Sequence, residues 1–390
     1  MNVFLTKIKG DKLIWAVVFI LSIVSFLTVY SSTGTLAYKY HGGNTEYYML
    51  KHAIILFLGL VLMYAAHLVK YTYYSRIFQI ILYIAVPLLL ITLIFGQNIN
   101  EATRVLYIPG INLTFQSSDL AKVTLIIYLA RMLSKKQDKI KDFKSAFVPL
   151  LVPVLVVCGL ILPANFSTAA ILFTISIVLM FIGRVRMSYI FGMVGIGIAA
   201  LAIVLLLLYL MPVENQGRLG TWKNRITTFV SGEGGDNYQV EQSKIAIATG
   251  GILGKMPGNS TQRNFLPHPY SDFIFAIIVE EYGLTGGIFI ILLYLFLFYR
   301  VVIIVVRAPG TFGSFLVAGV GFALVFQAMI NMGVAVNLLP VTGQPLPLIS
   351  MGGTSIWFTS LSVGIILSVS KELAQNEEES ENPQTEIVHA

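Results

Sequence analysis

Long apolar runs separated by short polar breaks dominate this chain. A helix needs about 20 apolar residues to cross a bilayer core. Ten stretches approach that length: 13–33, 52–69, 77–95, 113–133, 146–163, 168–183, 187–211, 273–300, 312–338 and 354–370. The run at 113–133 carries Asp119, Lys122 and Arg131, and the overlong run at 273–300 holds Glu280 and Glu281. The first run has no small-residue cleavage site before the next polar stretch, so it reads as a retained helix and not a removed signal. The pattern predicts an all-α integral membrane protein of about ten transmembrane helices. Residues 1–12 precede the membrane domain 13–370, and a tail, 371–390, follows it.

The breaks are unequal. On one side they are short and basic. On the other lie three longer loops, 96–118, 212–272 and 339–353, of which the second is by far the largest. Lysine and arginine choose the cytoplasmic side. With the N-terminus inside, the interior segments hold Lys7, Lys9, Lys12, Lys70, Arg76, Arg131, Lys135, Lys136, Lys139, Lys141, Lys144, Arg184, Arg186, Arg300, Arg307 and Lys371, which is 16 of the 26 basic residues. Both termini are therefore expected in the cytoplasm and the three long loops outside. Function usually lives on loops held by a rigid scaffold, so the outer face is the expected working face.

Composition sharpens this. Of 390 residues, 56% are hydrophobic and 12% charged, with a mean hydropathy of +0.80. Soluble chains are about a quarter charged. A soluble enzyme, a disordered scaffold and a disulfide-stapled domain are excluded, the last also because Cys158 is the sole cysteine. The net charge of +7 has no basic soluble domain to carry it, so it does not point to nucleic acid. The run Lys135–Lys144 suits contact with anionic lipid. The tail, with Glu377, Glu378, Glu379 and Glu381, reads as disordered.

Two outer segments carry candidate chemistry. Pro340–Ser355 packs three prolines and three glycines into 16 residues, which forbids a regular helix, yet it is too apolar for a linker. Irregular backbone at a membrane is tolerated where it is buried in protein or lines a cavity. The segment is either a cavity-lining loop or a tight turn between two helices. Asp272 is the last polar residue before an apolar helix. It suits an N-cap and equally a general base at a cavity mouth. Glu280 and Glu281 would lie about 12 Å further along a helix. Carboxylates at that depth are functional candidates by default, the alternative being structural ion pairs with Arg104 or Lys122.

These segments resemble the SEDS family (shape, elongation, division and sporulation) of peptidoglycan polymerases. Pro340–Ser355 is similar to the family's PVTGxPLPFxSxGGSS, Ser271–Gly283 to HTDFIFAxxxEExG and Tyr238–Gly251 to YQxxQSxIAIGSGG. Arg104 with Gln116–Lys122 is similar to GAxRW followed by QPSExxK. The chain departs from the pattern at Val105, Ser117, Asp119, Asn165, Tyr270 and Ser271, where the family has tryptophan, proline, glutamate, aspartate, histidine and threonine. Another departure is Asn264, where a glutamate is frequent. The short Gly258–Asn259–Ser260 stretch resembles the division branch, FtsW, more than the elongation branch, RodA.

The resemblance implies a glycosyltransferase that polymerises lipid II on the outer face of the bacterial inner membrane, at the division septum. It implies a class B penicillin-binding protein of the FtsI type, and other division proteins, as partners. Asp272 matches the family's essential aspartate. Arg104, Lys122 and Glu281 match positions of its polar cavity. Gln239, Gln242 and Ser243, and Pro345, Ser350, Gly352 and Gly353, belong to matching motifs and are expected to bind substrate. Chemically, Asp272 would take the proton of the attacking hydroxyl. Arg104 and Lys122, ahead of Arg225 and Lys244, would face the diphosphate. No His and carboxylate ligand set is evident, so no cofactor is assigned; a divalent Mg or Mn ion on the diphosphate stays open. His268 reads as a loop residue. A lipid II flippase, a non-catalytic division scaffold and a RodA-type elongation polymerase are the alternatives.

Overall fold

The structure, a computed structural model, describes residues 9–99, 102–108, 113–210 and 235–381, with 220, 222, 225 and 229 inside the large loop. The rest of 211–234, and the tail beyond Glu381, lie outside the described residues. Helices cover all ten expected spans. They are α1 Lys12–Ser32, α3 Thr45–Leu68, α4 Tyr71–Phe95, α5 Ser117–Lys135, α6 Val148–Ile161, α7 Phe166–Ile182, α8 Met187–Leu210, α10 Ile274–Arg307, α11 Gly310–Ala335 and α12 Thr354–Glu381. Two more, α2 Gly34–His41 and α9 Gly235–Gly250, lie between spans. Among the described residues, eight helices are long and apolar enough to cross a membrane, and α7 is a shorter apolar one. The chain is a multi-pass membrane protein.

Local chemistry sets the helix starts. Asp11 accepts from the Leu13 and Ile14 amides at the head of α1 and also pairs with Arg300 at 2.6 Å, tying α1 to α10. Asn44 and Asn165 cap α3 and α7 through their side-chain oxygens. Asn165 stands where the family pattern has an aspartate. It keeps a capping role there because Asn caps about as well as Asp. Central α11 has 78% of its apolar window buried, and peripheral α8 has 11%. Helices α3 and α12 approach closely at small residues. A Cβ at Gly364 would lie 2.5 Å from the Met63 carbonyl, so only glycine permits this contact.

Three expectations are corrected. The break 96–118 folds into an antiparallel meander of β1 Gln97–Ile99, β2 Ala102–Ile108 and β3 Leu113–Phe115, paired in that order. The run expected as helix from 113 therefore begins as a strand, and α5 starts at Ser117. The tail is not irregular from residue 371, because α12 continues to Glu381, with Lys70–Glu372 and Arg307–Glu377 ion pairs alongside. Finally, α10 runs past 300 to Arg307 and is broken at Gly283, whose φ of 72° is not helical. The break lets the Leu284 amide donate to the Gly251 carbonyl at 2.8 Å, so the turn after α9 docks into the gap.

Candidate active site

Asp272 lies in the turn before α10, half-buried. It is not the helix cap: the N-cap is Phe273, and no side chain caps there. One carboxylate oxygen instead accepts from the Ser271 hydroxyl at 2.8 Å. The cap-only reading of Asp272 is thereby removed. Burial pushes the Tyr270 phenol above its ordinary range, and the Asp272 charge and the Tyr48 and Tyr40 phenols add to the rise. Tyr270 thus remains a neutral hydroxyl near the carboxylate.

The backbone beneath Asp272 is gripped three times in succession. The Tyr270 carbonyl accepts from the Met351 amide at 2.9 Å. The Ser271 carbonyl accepts from the Ser350 hydroxyl at 2.6 Å. The Asp272 carbonyl accepts from the Asn331 side-chain amide at 2.9 Å. The first two donors belong to the 340–355 segment and the third to α11.

That segment is a buried loop and not a surface turn. Leu346, Leu348 and Ile349 are buried. Its polar backbone is met by helix side chains, as buried carbonyls require. Gln327 donates to the Pro345 carbonyl at 2.9 Å and Asn331 to that of Gln344 at 2.8 Å. Ser25 donates to that of Ile349 at 2.8 Å, and Tyr294 to that of Pro347. The Gln344 amide donates to the Thr168 hydroxyl at 2.9 Å. Gly352 and Gly353 are half-buried beside β3, where the Thr354 hydroxyl donates to the Thr114 carbonyl at 3.3 Å.

Lys122 points at this loop from α5. Its ammonium donates to the Gln327 side-chain oxygen at 2.8 Å and lies 3.5 Å from Asp119. It also borders a small chamber with Ser355, Thr359 and Ser362. A larger cavity of about 250 Å³ is bordered by the start of the loop, Pro340–Thr342. It is walled by Phe166, Ile171, Leu201, Val204, Ile330 and Leu339, with Trp222 and Arg225 at its edge. The Arg225 guanidinium donates to the Val341 carbonyl at 3.2 Å.

The remaining candidates divide. Pro345 and Ser350 join the Asp272 neighbourhood, and Lys122 reaches it through Gln327. The Ser243 hydroxyl is spent on the Ala335 carbonyl at 2.7 Å, holding α9 against α11. Gln239 and Gln242 are half-buried on α9, and Lys244 is exposed. Arg104 lies on β2, and its side chain falls outside the described residues. Glu281 does not line the cavity. It is buried, accepts from the Ser31 hydroxyl and receives the Ser260 amide at 3.4 Å. Glu280 pairs with Lys255 at 2.7 Å, while Lys122 turns to Gln327 and Asp119. Both glutamates fasten the 255–263 loop. Gln327 and Asn331 are the site residues that the sequence reading passes over. Their signal was two amides four residues apart in an otherwise apolar span, which places them on one helix face.

Residues 11–375 match the model of the FtsW/RodA/SpoVE family of cell cycle proteins. The chain belongs to that family. Within it, the chain is 34% identical over 375 residues to a probable peptidoglycan glycosyltransferase FtsW of Geobacter metallireducens, covering 94% of this chain and 96% of the relative. It is 30% identical to stage V sporulation protein E of Bacillus subtilis, over 94% and 98% of the two chains. Among solved structures, the fold is similar to the rod shape determining protein RodA of Thermus thermophilus, with a TM-score of 0.66 at 22% identity over 94% and 98% of the chains. It is also similar to a chain from a peptidoglycan synthase complex, with a TM-score of 0.70 at 22% identity over 94% and 99%. In this member of the FtsW/RodA/SpoVE family, the motif segments with the greatest likeness at sequence level, 271–283 and 340–355, are the ones the fold interlocks.

Proposed function

We propose that this chain is a peptidoglycan glycosyltransferase that polymerises lipid II on the outer face of the bacterial inner membrane, in the manner of the FtsW branch. The observation that carries the reading is the placement of Asp272. Its carboxylate is spared from capping, while its backbone is held at three consecutive carbonyls. A group positioned so rigidly at the head of a membrane helix suits general-base catalysis, which contributes about 10²–10⁴-fold.

In this mechanism the acceptor sugar hydroxyl attacks the anomeric carbon of the donor. Its proton passes to the Asp272 carboxylate as the new carbon–oxygen bond forms. The bond from the anomeric carbon to the diphosphate oxygen breaks, and its electron pair leaves with the lipid diphosphate. One base acting on one face inverts the anomeric centre. Lys122 and Arg225 supply positive charge against the loop, the first through Gln327 and the second at Val341, and Arg104 is a third candidate. The apolar cavity beside Arg225 accommodates a stretch of isoprenoid chain, with the guanidinium at its polar end. Among the described residues no three His, Cys, Asp or Glu side chains gather into a metal site. A divalent cation would therefore take its ligands from the diphosphate, and no step here is routed through one. A class B penicillin-binding protein at the septum, within the division machinery, is the proposed partner, with both termini cytoplasmic.

The test is purified full-length chain with its partner and lipid II, with glycan strands resolved on a gel. Strands that appear with the wild type and vanish with Asp272→Asn support the reading. Equal strands from both remove Asp272 as the base. No strands from the wild type, with lipid II crossing proteoliposomes instead, would establish the flippase.

A further inference from the structure

Gln327 and Asn331 lie four residues apart on α11, one turn and about 6 Å along the axis. Both are buried. Between them they touch the Asp272 turn, the buried loop and Lys122. Gln327 accepts from Lys122 at 2.8 Å and donates to the Pro345 carbonyl at 2.9 Å. Asn331 donates its two amide hydrogens to two carbonyls, those of Asp272 at 2.9 Å and Gln344 at 2.8 Å.

The orientation of each amide follows from its partners. A lysine can only donate and carbonyls can only accept, so neither side chain can be turned end for end. For Asn331 this has a cost. Its oxygen is buried with no hydrogen-bond partner among the described residues. An unpaired buried acceptor is unfavourable. An apolar residue of similar size would avoid that loss but would leave the Asp272 and Gln344 carbonyls without their donor. What the two donor bonds secure, together with those of Gln327, is the register of three pieces. The Asp272 turn, the buried loop and the Lys122 ammonium are all fastened to one face of α11.

We propose that Asn331 and Gln327 are positioning residues that together set the Asp272 turn relative to the Lys122 ammonium, so that base and cation address the attacking hydroxyl and the departing diphosphate at one anomeric carbon. This rests on the polymerase reading above. Neither residue touches substrate. Asn331 acts through the Asp272 backbone, and Gln327 acts through Lys122 and the loop.

The experiment uses full-length chain with its partner, purified lipid II, and the variants Asn331→Leu and Gln327→Met. Initial rates give kcat and KM, and thermal unfolding is followed in the same detergent. Wild-type polymerisation is the control; its absence would reject the function and not this inference. Asn331→Leu is expected to unfold at a lower temperature, because the Asp272 and Gln344 carbonyls lose their donor, and to lose 30-fold or more in kcat with KM within about threefold in the fraction that stays folded. Gln327→Met is expected to raise KM tenfold or more, because the cation is no longer aimed. A purely structural role predicts wild-type kcat and KM in the folded fraction. Wild-type kinetics in Asn331→Leu would overturn the proposal. If that variant does not accumulate, Gln327→Met decides alone: raised KM in its folded fraction supports the proposal, and wild-type kinetics overturn it.

Discussion

Replacing Glu280 by glutamine tests the clamp on the 255–263 loop. The carboxylate is fully buried. It accepts from the Lys255 ammonium at 2.7 Å, the Thr261 hydroxyl at 2.8 Å, the Thr261 amide at 3.1 Å and the Gln262 amide at 3.2 Å, and also from the Ser260 hydroxyl. All five partners donate. A glutamine must put its own NH₂ at one of the two oxygen positions, and each position already faces a backbone amide. At the first it opposes the Thr261 amide, at the second the Gln262 amide. Neither rotamer satisfies the loop. Removing one member of a buried pair costs about 3–5 kcal/mol. The Lys255 side chain is 28% exposed and recovers part of this in water, so about 2–3 kcal/mol is expected. Lys255→Met strips the buried carboxylate of its counter-charge while four donors stay in place, for about 1.5–3 kcal/mol. The prediction is a comparable loss from either single variant. The double variant should lose less than the two singles combined, by about 1 kcal/mol. Residual folded protein after heating, read by gel filtration in detergent, supplies the comparison. If the double variant loses as much as the two singles combined, the pair is not coupled and the clamp is refuted.

Three further outcomes are expected. Asp272→Asn should lose about 10²–10⁴-fold in polymerisation with unchanged membrane level, since Asn retains the oxygen that accepts from Ser271; near-normal rates would contradict the base. Gly283→Ala should prevent accumulation of folded protein, because the added Cβ would lie 2.1 Å from the Ile252 carbonyl at a φ of 72°; a wild-type level in the membrane fraction would refute the break in α10. Asn264 is exposed, so Asn264→Cys should react with an impermeant maleimide in intact cells while Lys141→Cys should react only after permeabilisation; the reverse pattern would invert the topology.

The membrane helices are legible in the sequence because a bilayer demands long apolar runs, and among the described residues eight helices are long and apolar enough to cross one. The 340–355 loop is legible for a related reason: proline and glycine forbid a helix there, while Leu346, Leu348 and Ile349 forbid a solvated linker. The meander is not. Its strands at 97–99 and 113–115 are three residues each, too short for an alternating pattern to register against a polar loop. The partners of Glu280 are also hidden. The sequence places two costly carboxylates in a membrane segment but cannot say that Lys255, 25 residues earlier, returns to meet them. Arg104 and Lys122 are equally plausible on charge alone. Asp272 shows the limit most plainly. Its position before an apolar helix fits a cap and a base alike, and only the turn geometry, which gives the N-cap to Phe273, separates the two.

The clamp on the two glutamates also bears on how the chain is made. The donors described for Glu280 and Glu281 are Ser31, Lys255, Ser260, Thr261 and Gln262, and all precede them in sequence. Synthesis runs from the N-terminus, so the groups that neutralise these carboxylates have left the ribosome before the carboxylates themselves emerge. The segment that would be the most difficult to insert therefore emerges after every one of these donors. Were the order reversed, two unpaired acids would wait in the lipid for chain not yet translated.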